Sequence, residues 1–356
     1  MENNVSRRKV LSAVGSASAL GLAGCTGETT NEDDAEITAA FLYESELAEV
    51  GWDRSHENGR QFVEEQLDWV DTEFTENVPP GDLDQVMGSL VDSGVDAIFG
   101  TTFGYMDPMV EFSTNHPDVA FEHCSGYKTT ENMGRYYGRL YQARYLCGVA
   151  AGELTDENQI GYCAAFPIPE VLRQINAFVA GARDVNPDVT AEIRFTNDWL
   201  NPSASTEAVE ALTNNGADVI NNHQTSTAAV ETAARNDAWA FTYTTDMIDA
   251  GGERYGSSAV FNWGPYYEET IRNIRNDEWD PNAYWKGLDA GIVDIGEFGS
   301  NVPDDVVSEV ENVREEIING ERTVWENTQF EGESDEFLFG EVNSFVEGIS
   351  GEVPSS

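Results

Sequence analysis

The sequence predicts an α/β fold of two lobes, each a parallel sheet flanked by helices. Three observations carry that prediction. From residue 37 onward short apolar runs alternate with amphipathic stretches, the rhythm of βαβ units. Gly94-Val-Asp-Ala-Ile98 and Gly216-Ala-Asp-Val-Ile220 are matching helix-stop and strand-start signals, 122 residues apart (216 − 94). The chain has 356 residues, a length that suits two ordinary domains better than one.

The first 25 residues read as an address. Ser6-Arg-Arg-Lys-Val-Leu11 is a twin-arginine pair ahead of a weakly apolar stretch, 13–23. That stretch is too short to span a bilayer, which takes about 20 apolar residues. The order matches a Tat export signal, and Leu22-Ala-Gly-Cys25 resembles a lipobox that would make Cys25 the lipidated residue. Residues 26–36 are polar and acidic, a tether. The expected location is the outer face of the cell membrane, lipid-anchored, with no further membrane segment.

Strands are expected at 37–43, 72–75, 97–101, 119–123, 160–164, 191–195, 219–222, 239–243 and 259–262. Helical patterns fall between them near 53–68, 82–93, 106–115, 138–154, 169–184, 203–214, 226–235 and 265–276. The expected division places lobe 1 at 37–157 with a return over about 247–285. Lobe 2 is placed at 158–246 with about 286–330, and 331–356 is expected to be a loosely ordered acidic tail.

Composition narrows the function. Lys+Arg 19 against Asp+Glu 65 gives a net charge of −46, spread along the chain. Such a field repels nucleic acid and anionic membranes. It suits a surface working at high salt, where the Debye length is about 3 Å at 1 M. Cys124, Cys147 and Cys163 sit in apolar runs and read as buried free thiols. No spacing suits a metal, no cofactor motif is present, and GxSxG, HExxH and P-loop motifs are missing. Binding rather than chemistry is the expectation, by a monomer.

In an open α/β sheet the loops at the strands' carboxyl ends form the ligand crevice. Those loops collect aromatic and polar residues here: Trp52, Phe103, Tyr105, Phe166, Asn197, Asp198, Trp199, Asp246 and Trp263. Repeated aromatics at loop positions suit a cleft for a planar ligand. Phe103, Tyr105 and Phe166 either wall the ligand or seat their own loops. Asp246 either meets ligand or caps its turn, and Trp263 either lines the cleft or shields the hinge. His56 either faces the cleft or sits on a solvated helix face, the latter preferred; Glu170 reads as a carboxylate favoured by its helix N-terminus, and Arg139 and Arg144 as partners for acids on their own lobe.

Several segments together resemble the basic membrane protein family of ABC-transporter lipoproteins, which includes purine nucleoside receptors. They are Gly51-Trp52 with Asn58-Gly59, Tyr145-Leu-Cys-Gly-Val-Ala-Ala-Gly152, Asn176-Ala-Phe-Val-Ala-Gly-Ala182 with Asn186-Pro187, and Gly216-Ala-Asp-Val-Ile220. Phe103-Gly-Tyr-Met-Asp-Pro108, Phe166-Pro-Ile-Pro-Glu-Val171 and Asn262-Trp-Gly-Pro-Tyr-Tyr267 mark a subgroup. The similarity covers roughly residues 37–329. It implies a type I periplasmic-binding-protein fold with a hinge, and partners in a purine-like ligand, an ABC permease and its ATPase. It also implies a purine held between two aromatics, matched here by Trp52 and by Trp199 in Asp198-Trp-Leu-Asn-Pro202. Two departures stand out. Thr244-Thr-Asp246 keeps only the second Asp of the nucleoside binders' Asp-x-Asp, and their sugar-reaching Lys falls near Phe261 or Asn262. The expectation is therefore a free base, with Asn197, Asp198 and Asp246 meeting its polar edge. The alternatives are a nucleoside or other small-ring or sugar receptor of the same fold, and behind them an exported nucleoside hydrolase or the ligand-binding subunit of a sensor.

Overall fold

A computed structural model describes residues 37–354. The leader and tether assigned to residues 1–36, Cys25 included, lie outside the described residues. Along the chain run β1 (Ile37–Leu42), α1 (Trp52–Gln66), β2 (Val70–Thr75), α2 (Leu83–Ser93), β3 (Ala97–Gly100) and α3 (Met106–Asn115). Then come β4 (Ala120–Cys124), β5 (Met133–Gly138), α4 (Leu140–Leu154), β6 (Gln159–Ala164), α5 (Pro169–Val185) and β7 (Thr190–Phe195). There follow α6 (Pro202–Asn214), β8 (Val219–Asn222), α7 (Ala228–Arg235), β9 (Trp239–Thr244) and β10 (Tyr255–Phe261). The chain closes with α8 (Gly264–Arg275), β11 (Ala283–Lys286), β12 (Val293–Ile295), α9 (Asp304–Ile318) and α10 (Asp335–Gly340).

The strands make two six-stranded sheets, one per lobe. The first has the order β11-β5-β4-β3-β1-β2 and is parallel throughout. The second, β12-β10-β9-β8-β6-β7, is parallel except for β12, which runs against β10. The central strands are apolar because helices cover both faces: every residue of β3 and β8 is buried. Both Gly-Asp signals do the work their sequence implies. Gly94 and Gly216 stop α2 and α6 at φ 96° and 105°, a region that side-chain-bearing residues enter reluctantly.

Three segments cross between the sheets, after β5, after β10 and between β11 and β12. They meet where Gly138 lies against Val293 and Phe261, so close that a Cβ would stand 2.5 Å from Val293 Cγ1. In both sheets the strand order reverses at one point, between β1 and β3 and between β6 and β8. The loops after those strands face the gap between the lobes.

The structure departs from the sequence reading at several places. β5 carries two glycines and an arginine, and β11 and β12 have four and three residues, so none shows a period long enough to read. β10 was expected in lobe 1's return but pairs with β9 in the second sheet. α4 was likewise placed in lobe 1, yet it packs on α5, with Gly148 and Gly181 against the partner helix's backbone. Residues 331–354 are ordered, not loose. Arg173 donates to the carbonyls of Leu338 and Phe339, Asn176 bonds Ser344 O and Val346 N, and Ala191 bonds Gly348 O and Ser350 N. Leu338, Val342 and Val346 are buried there.

Candidate functional site

The loop after β1 ends at Gly51, whose φ of 101° turns the chain into α1. Trp52 is the first residue of that helix. Its Nε1 donates to Thr101 O at 2.8 Å, at the end of β3. Behind it stands an aromatic block. His56 and Phe261 meet the indole edge-on at 4.7 and 5.6 Å, and Trp263 at 6.1 Å. Trp263, 1% exposed, stacks on His56 and on Phe261 and gives its Nε1 to Ser55 Oγ. His56 in turn shares a hydrogen bond with Tyr267 OH. The indole is thus held from behind and one side faces the gap.

Trp199 approaches from the other lobe, on the loop after β7. Phe166 meets it edge-on at 5.2 Å. Asn197, at φ 56°, and Asp198, which accepts from Leu200 N and Asn201 Nδ2, shape the loop. Gln224 Nε2 ties Thr196 Oγ1 and Asp198 O together, and Thr225 N donates to Trp199 O. The indole itself remains 39% exposed.

Trp52 and Trp199 line one cavity of about 350 Å³, within the usual range for small-molecule sites. Glu44, Asp53, Thr102 and Phe103 complete the first lobe's wall, and Glu170, Thr225, Ser226 and Tyr243 the second's. The lobes touch beside it. Gly51 N donates to Thr245 Oγ1 at 2.9 Å, and a Cβ on Gly51 would lie 2.5 Å from Thr225 Cγ2.

Polar groups line much of this cavity, Glu44, Ser45 and Glu46 exposed at its mouth and a few polar atoms buried within. Asp53 Oδ2 accepts from Ser45 N, while its Oδ1 has no hydrogen-bond partner. Burial, helped by Glu44 and Glu76, pushes the Asp53 carboxyl up to about 7 against the Ser45 N–H that favours its ionised form. Ser226 Oγ is buried and also unpartnered. Glu170 accepts from Tyr137 OH at 2.7 Å, and burial raises its carboxyl as well.

Of the residues singled out in the sequence, the cavity brings together Trp52, Trp199 and Phe103. Phe166 lies beneath Trp199. The others stand elsewhere. Tyr105 is fully buried and donates to Val78 O, because its helical turn points into the first lobe's core. Asn197 and Asp198 are spent on their own loop. Asp246 accepts from Tyr255 OH and Glu297 N on the far side of β10. Trp263 backs Trp52 instead of meeting the gap. His56 is buried rather than solvated, and Arg144 binds no acid: it donates to Asn221, Gln174 and the carbonyls of Thr242 and Asn222. Asp53 opens the helix after one strand-end loop and Ser226 stands in another, but a single Asp or Ser at such a position looks like any solvated residue. Cys124, Cys147 and Cys163 are buried and free. Among the described residues no group of His, Cys, Asp or Glu is set to hold a metal ion, and no helix is long and apolar enough to cross a membrane.

A family model described as ABC transporter substrate-binding protein PnrA-like matches residues 36–328. The chain is 44% identical to a putative ABC transporter glucose-binding protein of Haloferax volcanii, over 99% of each chain. It is 36% identical to a purine-binding protein of Brucella abortus, over 80% of this chain and 82% of that one. In fold it is similar to an ABC transporter solute-binding protein from Conexibacter woesei, with a TM-score of 0.68 and 18% identity, covering 81% of this chain and 98% of that one.

Proposed function

The chain belongs to the Bmp family of PnrA-like ABC transporter substrate-binding proteins, and from that premise we propose that it captures a flat ring, a purine base foremost, between Trp52 and Trp199. As an ABC substrate-binding protein it is extracytoplasmic and works with a permease and its ATPase. The observation that carries the ring reading is the pair of indoles, one from each lobe, on one small cavity. Stacking contributes about 1–3 kcal/mol per base face, before the cost of ordering the ligand. Asp53 Oδ1 and Ser226 Oγ, both without partners, suit ring N–H and amino groups. The free base is favoured over the nucleoside because Thr244, and Phe261 or Asn262, stand where the nucleoside binders carry their sugar-facing Asp and Lys. Ligand bridging the two lobes would shift the population toward the closed form, which the permease reads. No covalent step is involved.

A hexose is the second reading. It is favoured by the name of the Haloferax relative and by Asp53 and Ser226, which would serve sugar hydroxyls equally. Calorimetric titration with adenine, guanine, hypoxanthine, adenosine and glucose in molar salt separates the two. Base binding with no glucose heat supports the purine reading, and the reverse result replaces it. Tat export and a lipid anchor on Cys25 complete the proposal. Cys25→Ala is expected to release the protein from the membrane fraction, and retention there would remove the anchor.

A further inference from the structure

A second cavity of about 960 Å³ adjoins the ring slot, joined to it at Phe103, Ser125 and Glu170. It lies where the edge strand β11 of the first lobe and its neighbour β5 face the start of α5 and are covered by α10. Its lining is unlike the rest of this molecule. Arg135, Arg139, Arg173 and Lys286 all line it, four of the 19 cationic side chains in a chain of net charge −46.

The hydrogen bonds left unmade there have one sign. Arg135 Nη1, Arg139 Nε and Trp285 Nε1 are buried without a partner, and all three are donors. Trp285 is 7% exposed, so its N–H is not served by bulk water. Burying a donor unmatched is costly, so three in one cavity call for an acceptor. Acids do line this space, but they leave those donors unserved. Asp335 is taken by another nitrogen of Arg139, and Glu336 and Glu341 are exposed at the rim. Glu170 accepts from Tyr137 OH, and burial raises its carboxyl. Among the described residues Arg135 makes no ion pair. Its guanidinium lies over the Phe339 ring at 4.6 Å, with Nη1 buried and unpartnered.

We propose that this cavity is an oxyanion site, taking a phosphate, sulfate or carboxylate group on Arg135, Arg139 and Trp285. Charge-assisted bonds to a forked guanidinium are the strong kind, and the indole N–H adds direction. Because the cavity opens into the ring slot, the oxyanion can arrive free or as an arm on the ring ligand. The site does not depend on which ring the slot takes.

The test is a titration of the full mature protein with inorganic phosphate at fixed ionic strength, chloride replacing phosphate. Saturable binding is expected, at least tenfold weaker in Arg135→Gln and partly restored in Arg135→Lys. Trp285→Phe removes the N–H together with part of a buried ring, so it should weaken phosphate several-fold, and a parallel melting curve reads the lost packing separately. Base or hexose titrations should be unchanged in Arg135→Gln, so failure of the ring reading is seen separately. Adenosine monophosphate separates the two sources: competition with phosphate and base together marks a tethered arm, and with phosphate alone a free anion. No saturable phosphate binding, or equal binding in wild type and Arg135→Gln, would overturn the proposal.

Discussion

Trp199→Ala is the cleanest test of the two-walled slot. The indole is 39% exposed, and its loop is pinned independently by Gln224, Asp198 and Thr225 through groups the substitution leaves alone. The unliganded fold should therefore lose about 1 kcal/mol, the packing of a half-buried indole on Phe166 and His223. The bound state loses one stacked face, about 1–3 kcal/mol, so affinity for the purine should fall between roughly 5-fold and 150-fold. Trp52→Ala makes a poorer probe. That indole packs on His56, Phe261 and Trp263 and bonds Thr101 O, so its removal costs about 3–5 kcal/mol of stability as well. Calorimetry in molar salt with a parallel melting curve reads both quantities. If Trp199→Ala leaves the melting temperature and the affinity unchanged to within twofold, the second wall does not exist.

Asp53 supplies a pH dependence. Its carboxyl is raised to about 7 in the fold from 3.8, and a donor ligand needs the ionised form. Affinity should then fall about tenfold per pH unit below 7 and level off above, while Asp53→Asn should give a flat profile. A flat wild-type profile between about pH 5.5 and 8.5 would contradict this role for Asp53. The same shift works against the empty fold as pH rises: its contribution is present below 3.8 and is lost as pH passes about 7, because the folded carboxyl holds a proton the unfolded one releases. Gly51→Ala puts a Cβ into Thr225 at a backbone angle that L residues avoid, so closure should weaken and affinity fall by at least tenfold, measured by the same titration. Ending the chain at residue 330 removes buried Leu338, Val342 and Val346 and takes the carbonyl acceptors from Arg173. Each such apolar side chain contributes about 1.5–3 kcal/mol, so the melting temperature should drop by well over 5 °C. An unchanged melting curve would show that the tail adds nothing to the fold.

Taken alone, the sequence determined the local elements and the two-lobe plan. Helix and strand periods are set by which face each residue buries, and Gly94 and Gly216 mark their stops because αL angles need glycine. It also determined that Trp52 starts a helix at a strand-end loop, since that follows from neighbours along the chain. Tertiary structure decided the rest. Which sheet receives β10 depends on pairing with β9 and β12, and the short β11 and β12 become strands only because partners complete their hydrogen bonds. The side a residue presents was likewise invisible locally. Trp263 and His56 turned inward to back Trp52, Asp246 was taken by Tyr255 and Glu297, and Asp53 emerged with an unpartnered oxygen. Burial and hydrogen-bond satisfaction are set by groups distant in sequence, so a site built across two lobes is read from the chain only as a set of candidates.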